Sequence, residues 1–322
     1  MLYNILNKLG MNLKMTGLMT FAVLITAFLL SFFVLKYFKK ILPKDQGRAF
    51  AVNGALSEGK PRGAGLLFIT TFTLSIALFY PLSVENLLYL IFIYGAMLSG
   101  YFDDAAETPW GNLKKGLIDL VIALGSSFVY YHYNGSTIKM PLFGVHSLTI
   151  NPVLFVILGA VLVWTAINVT NCTDGVDGLC SSLVLVTTFS LLSLSTNKDS
   201  IMVLAMAGTL LGYLWFNCSP SQMLMGDAGS RALGVFLAIM FLKSGCPIAF
   251  IPLAFVIIID GGLGLLKLSF RRFLKIKNFM EGIRTPIHDH MRKNKGWSDT
   301  QVVIRFTVLQ IVINLCYLGL AH

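Results

Sequence analysis

The chain has 322 residues, of which 56% are hydrophobic and only 12% charged, where soluble domains carry about 25% charged residues. That composition excludes an ordinary soluble globule and points to one polytopic membrane domain over residues 1–322. The formal charge of +10 fits a basic cytoplasmic face turned to anionic lipid or anionic substrate, and no nucleic-acid partner is expected.

A membrane span needs about 20 mostly apolar residues. Ten candidates follow in chain order: 16–36, 63–81, 86–102, 114–132, 151–168, 178–196, 200–217, 228–243, 247–268 and 301–320. The first is followed by Lys36, Lys39, Lys40 and Lys44 and lacks a small-x-small cleavage site, so it reads as an anchor rather than a signal peptide. With both termini outside, the inner loops are 36–62, 103–115, 169–177, 218–231 and 267–305. They then hold 20 of the 25 Lys and Arg residues, leaving Lys8, Lys14, Lys139, Lys198 and Lys243 outside. The positive-inside rule prefers this orientation. The fold class is therefore an all-α integral membrane protein with about ten transmembrane helices.

The outer segment Ser136–Ile150, "STIKMPLFGVHSLTI", alternates around Pro141 and Gly144 and reads as a small β-hairpin or an interfacial loop. The five cysteines have no CxxC spacing and read as small core residues.

Four polar motifs then fall on the inner side. "GYFDDAAE" puts Asp103 and Asp104 at the inner end of the third span. On a regular helix they diverge by about 100°, so one faces a cleft while the other caps, orients or binds an ion. "NVTNCTDGVDGLC" places Asn168 and Asn171 on one helix face and Asp174 and Asp177 on a glycine-rich turn. "WFNCSPSQMLMGDAGSR" ends one span at Asn217 and opens the next with Asp227 between Gly226 and Gly229. An Asp at such a helix start either caps it or holds Mg²⁺ against phosphate oxygens. In the basic loop from Arg271 to Trp297, His288 and His290 share one side if the segment is extended. Phosphate contact suits their neighbours Arg284, Arg292 and Lys293 better than metal binding does. "EGKPRGAG" adds a further basic turn on the same side.

Each motif alone also reads as an ordinary loop or helix end. Together, four separated loops bring carboxylates, amides, imidazoles and cations to one face, without a Ser-His-Asp or Cys-His nucleophile pattern. That inventory suits a divalent ion and diphosphate chemistry at a membrane surface. A transporter would instead place its polar groups near mid-membrane.

"GYFDD", "NVTNCTDGVDGL", "LLGYLWFN" with "MGDAGS", and "PIHDH" occur in the order found in the polyprenyl-phosphate N-acetylhexosamine-1-phosphate transferases. The chain resembles that family over roughly 59–297, and "TIKMPLFG" and "PIHDH" with a downstream "GW" favour its phospho-N-acetylmuramoyl-pentapeptide branch. The resemblance implies transfer from UDP-N-acetylmuramoyl-pentapeptide to undecaprenyl phosphate, giving lipid I and UMP, with Mg²⁺, in the bacterial inner membrane. The alternative is the same chemistry on UDP-N-acetylglucosamine for another surface glycan. The resemblance further implies a metal-binding role for Asp227, and catalytic roles for Asp103 and Asp104 as base or positioning groups. It assigns phosphate contact to Lys115, nucleotide contact to Asn171, Asp174 and Asn217, a further loop carboxylate to Asp177, and the histidine motif to His288 and His290. Departures are Glu107 in place of a usual Lys, Leu224 in place of Phe, and Asp289 as the middle histidine. Membrane lipids are expected around the chain, and a homodimer is compatible with the resemblance, although no residue pattern carries it.

Overall fold

The computed structural model describes residues 15–47, 57–108, 110–140, 145–196, 198–276 and 278–321. Lys8, Lys14, Arg48 and Lys277 of the charge count, and the Pro141–Gly144 turn, lie outside the described residues.

The chain forms an α-helical membrane protein. In order come α1 (Met15–Phe38), α2 (Gly65–Phe79), α3 (Val84–Asp104) and α4 (Asn112–Asn134), then strands β1 (Thr137–Met140) and β2 (Val145–Thr149). They are followed by α5 (Pro152–Thr173), α6 (Leu179–Leu191), α7 (Asp199–Asn217), α8 (Gly226–Lys243), α9 (Phe250–Leu253), α10 (Phe255–Phe273), α11 (Ile287–Lys295) and α12 (Asp299–Ala321). β1 and β2 pair antiparallel, with Thr137 opposite Thr149 and Ile138 opposite Leu148.

α8 is the axle of the molecule. Every residue from Gly226 to Leu242 is buried, as expected of a helix with no face turned to solvent or lipid. By contrast, α12 shows Ile304, Val308, Leu309, Val312 and Leu315 on its outer surface. Lipid tails are the natural surroundings for such a face. Between apolar helices in lipid, packing rather than water exclusion drives association, so small residues at the contacts matter. Gly208 and Gly212 of α7 let α1 come so close that a Cβ would stand 2.4 Å from the Leu24 carbonyl and 2.8 Å from that of Phe28.

Among the described residues, α1, α3, α5, α7 and α12 are long and apolar enough to cross a membrane, and the bent pair α9–α10 adds a sixth if it is one span. α2 and α6, read from sequence as spans, are shorter apolar helices of 15 and 13 residues.

The span expected over 247–268 is broken. The chain bends there by 88° between Leu253 and Phe255. Pro252 removes one backbone donor at the break, and the exposed backbone groups are taken up by Gln310 of α12. Its Oε1 accepts from Val256 N at 2.7 Å and its Nε2 donates to the carbonyls of Pro252 and Leu253 at 3.2 and 3.1 Å. A fully buried glutamine thus replaces the missing helical turn. The cysteines also divide: Cys180 and Cys246 are buried, but Cys218 and Cys316 are exposed. Both exposed thiols sit on helices or helix ends whose outer faces are uncovered, which composition could not distinguish from core.

Candidate active site

The site forms where α3 ends and α4 and α8 begin. α8 starts at Gly226, whose φ of +69° suits glycine. Its N-cap, Met225, supplies no capping side chain. The cap comes from another helix: Asp104 Oδ2 accepts from Ala228 N at 3.1 Å. A carboxylate at a helix N-terminus also opposes the helix dipole favourably. Asp227, read from sequence as either a cap or a metal ligand, is thereby spared the capping task. Gly100 of α3 makes this docking possible, since a Cβ there would meet the Asp227 carbonyl carbon and oxygen at 2.3 Å.

Asp103 and Asp104 diverge as the helical geometry requires. The Asp104 side chain is buried and holds Arg62 Nε at 2.9 Å. Asp103 accepts from Trp110 N at 2.7 Å and pairs directly with Lys115 of α4. The same ammonium lies 3.3 Å from Asp227 Oδ2. Asn171 of α5 reaches Asp227 Oδ2 at 3.5 Å, and its own carbonyl accepts from Ser230 Oγ at 2.9 Å. Arg62 completes the ring. It binds Asp45 Oδ1 at 2.8 Å and stands 3.9 Å from Asp227 Oδ1. Burial works against the Arg62 charge, but Asp104, Asp45 and Asp227 more than offset it and raise its pKa further.

The centre therefore sets four carboxylates, Asp45, Asp103, Asp104 and Asp227, against two cations, Arg62 and Lys115. That excess suits a divalent cation. Among the described residues no three His, Cys, Asp or Glu groups converge as a closed cage. Mg²⁺ does not need one: it keeps waters and phosphate oxygens and takes one or two carboxylates. The donor set of Asp227 with Asp103 across Lys115 fits that habit.

The other expected residues lie around this centre. Asp174 ends α5. Asp177 accepts from Ser221 N at 3.0 Å and faces Lys60 Nζ at 3.8 Å, tying two loops together. Asn217 is buried and engaged with the protein, accepting from Gly178 N at 3.0 Å and Ser181 Oγ at 3.3 Å while donating to the Met223 carbonyl at 3.1 Å. Asn168 turns back to the Trp164 carbonyl of its own helix at 2.8 Å, so the shared face with Asn171 does not lead it into the site.

The shared side given to His288 and His290 on an extended backbone is corrected. They lie on helix α11 rather than an extended segment, and two residues on a helix point about 200° apart. His288 is buried, with its backbone N and Nδ1 both on the Asp260 carboxylate at 2.7 and 2.8 Å. Its Nε2 side lies against Gly175, where a Cβ would come within 2.3 Å. His290 Nδ1 accepts instead from Arg284 N at 3.3 Å.

Sequence reasoning missed Asp45, Asp260 and Ser230 and left Arg62 unassigned in its basic turn. A lone carboxylate within the apolar run "FVIIIDGGLG" was the available signal for Asp260. Arg62 and Asp45 carried no such signal, because only the fold brings their loop under α8.

A family model described as Glycosyl transferase family 4 matches residues 86–245, the stretch from α3 to the end of α8. Relatives named phospho-N-acetylmuramoyl-pentapeptide-transferase match over most of the chain. That of Treponema pallidum (strain Nichols) is 38% identical, over 92% of this chain and 87% of its own. That of Wolbachia sp. subsp. Drosophila simulans (strain wRi) is 28% identical, over 91% and 96%, and that of Bartonella quintana (strain Toulouse) is 28% identical, over 80% and 78%. With likeness of that extent, and three of the four motifs meeting at the start of α8, the chain belongs to the phospho-N-acetylmuramoyl-pentapeptide-transferase family.

Proposed function

We propose that the chain transfers phospho-N-acetylmuramoyl-pentapeptide from its UDP carrier to undecaprenyl phosphate, forming lipid I and UMP for peptidoglycan synthesis. The observation that carries this reading is the Lys115 ammonium held between Asp103 and Asp227 at the N-terminus of α8. A lipid phosphate and a nucleotide diphosphate repel each other, and such a centre can offset that repulsion. An oxygen of the lipid phosphate attacks the β-phosphorus, the bond from that phosphorus to the UMP oxygen breaks, and UMP leaves.

Asp227 would hold Mg²⁺, which when bound neutralises developing charge on the phosphate oxygens. Lys115, whose ammonium faces Asp103 and Asp227, would take up phosphate oxygens. Asp103, beside that ammonium, is the better placed of the pair to position or deprotonate the lipid phosphate. Asp104 is occupied by Arg62 and the α8 backbone, so its part is to set Asp227 in place. Asn171 steadies Asp227 through its amide, and Asp174, Asp177, His288 and His290 would border the nucleotide. The reading keeps ten spans, both termini outside and the site at the cytoplasmic face of the bacterial inner membrane. It is supported by the charge asymmetry of the loops.

The test offers purified protein and undecaprenyl phosphate either UDP-N-acetylmuramoyl-pentapeptide or UDP-N-acetylglucosamine, and measures UMP. Release with the pentapeptide substrate alone is expected. Release only with UDP-N-acetylglucosamine would replace the substrate in this reading, and release with neither would refute it.

A further inference from the structure

We propose that Asp119 is a positioning residue for this reaction: it holds the Arg231 guanidinium away from Asp227 and so keeps Asp227 for its cation. The proposal rests on the reading of Asp227 as the Mg²⁺ carrier.

α4 and α8 both begin at the site and face each other through two rungs. The first rung is Lys115 with Asp227, at 3.3 Å. The second is Asp119 with Arg231, in direct contact one helical turn deeper. Lys115 and Asp119 are four residues apart on α4, as are Asp227 and Arg231 on α8. Residues at that spacing share a helix face. The polarity is reversed between rungs, so a cation lies below the carboxylate of Asp227 and a carboxylate lies below the ammonium of Lys115.

Arg231 is 1% exposed, the largest side chain among the described residues to be so deeply buried. Its Nε and Nη1 have no acceptor among the described residues, so Asp119 is its hydrogen-bonded anchor. An arginine cannot shed its proton to escape burial. A buried charge that loses its partner is costly and turns to another. The carboxylate on the same helix face, four residues or about 6 Å along the axis, is Asp227. Arg231 would compete there with any metal ion and with Lys115. The pair is thus a restraint: the cation is tolerable beneath the site because Asp119 occupies it.

The experiment compares the parent with Asp119→Asn and with Asp119→Asn/Arg231→Leu, each purified in detergent. UMP release is measured against Mg²⁺ concentration, and so, without substrate, is the rise in Tm caused by Mg²⁺. Asp119→Asn is expected to raise the half-effective Mg²⁺ concentration in both assays by tenfold or more. Removing Arg231 as well is expected to return both to within threefold of the parent. A role confined to stability would lower Tm and leave both Mg²⁺ dependences in place. The proposal is overturned if Asp119→Asn stays within threefold of the parent, or if the double variant remains as impaired as the single. Where Asp119→Asn does not purify folded, the double variant and Asp119→Glu carry the test: both must stay within threefold, and a tenfold rise in either overturns the proposal. A parent that shows neither a Mg²⁺-dependent Tm nor UMP release refutes the reading of Asp227 itself, a result distinct from failure of the variants.

Discussion

The two ends of α3 carry two polar clusters of different kinds. At the far end from the site, Glu85 accepts from Asn134 Nδ2 at 2.7 Å and from the Tyr89 hydroxyl at 3.1 Å. Lys243 of α8 lies 3.1 Å from Asp199 and 3.8 Å from Glu85, and the Tyr80 hydroxyl donates to Asp199 at 2.8 Å. Here one ammonium, two phenols, the Thr196 hydroxyl and an amide answer two carboxylates. At the near end, four carboxylates face two cations, and backbone N–H groups and an amide also bond to them. The 21 residues of α3 span about 30 Å between the clusters, near the thickness of a bilayer core. The far cluster is balanced by neutral donors and fastens several chain segments together. Each cluster carries two carboxylates per cation, which leaves an excess of one negative charge at the far end and of two at the near end, where a cation and phosphates would bind. Polarity alone therefore does not mark the active end; the near cluster differs by its larger negative excess and by its place at the N-terminus of α8.

The sharpest way to break this contrast is to remove charge from each end in turn. Asp227→Asn is expected to lower kcat for UMP release on the order of 10²–10³-fold, with Tm unchanged within a few degrees; near-normal turnover would remove Asp227 from the chemistry. Lys115→Met is expected to cost about 10²-fold in kcat, because Asp103 and Asp227 then face each other without their shared cation. Lys243→Met at the other end should do the reverse. It leaves Glu85 and Asp199 short of their cation and should destabilise by about 3 kcal/mol, read as a lowered unfolding midpoint, with kcat per folded molecule retained. A fall in kcat at constant stability would show that the far cluster is not purely a fastening.

Smaller effects sharpen the picture. Gln310→Leu strips the α9–α10 break of its buried partner and should cost about 2 kcal/mol, measured by thermal unfolding. Asp45 gives a pH-dependent test of the Arg62 loop. Burial alone would raise its pKa, but the Ser57 hydroxyl and the Arg62 guanidinium outweigh burial and hold it below its ordinary value. A depressed carboxylate contributes stability above its unfolded pKa of about 3.9 and loses it as pH falls through the folded value. Protection of the Arg62 backbone from proteolysis or hydrogen exchange should therefore weaken only below about pH 4, and Asp45→Asn should weaken it at neutral pH.

The membrane character, the helix positions and the near cluster's main carboxylates were legible because each leaves a local trace. Long apolar runs mark helices, and Asp103, Asp104 and Asp227 interrupt them where lipid makes charge costly. What stayed hidden depends on contacts between distant segments. That Asp104 caps α8 while Asp103 meets Lys115 follows from how α3 crosses α8 at Gly100. The histidine pair was misjudged because "PIHDH" was given an extended backbone, whereas Asp260 seats His288 on a helix. The bend at Leu253 was hidden because Gln310 supplies its hydrogen bonds from the far end of the chain. Lys243 was counted only as an outside charge because its two carboxylate partners belong to other helices.

The central claim is that the near cluster works with a divalent ion on a nucleotide diphosphate. It is tested most directly by UMP release from UDP-N-acetylmuramoyl-pentapeptide and undecaprenyl phosphate, with purified protein in EDTA and after Mg²⁺ is restored. The account predicts no release in EDTA and full recovery with Mg²⁺. Undiminished release in EDTA would contradict it.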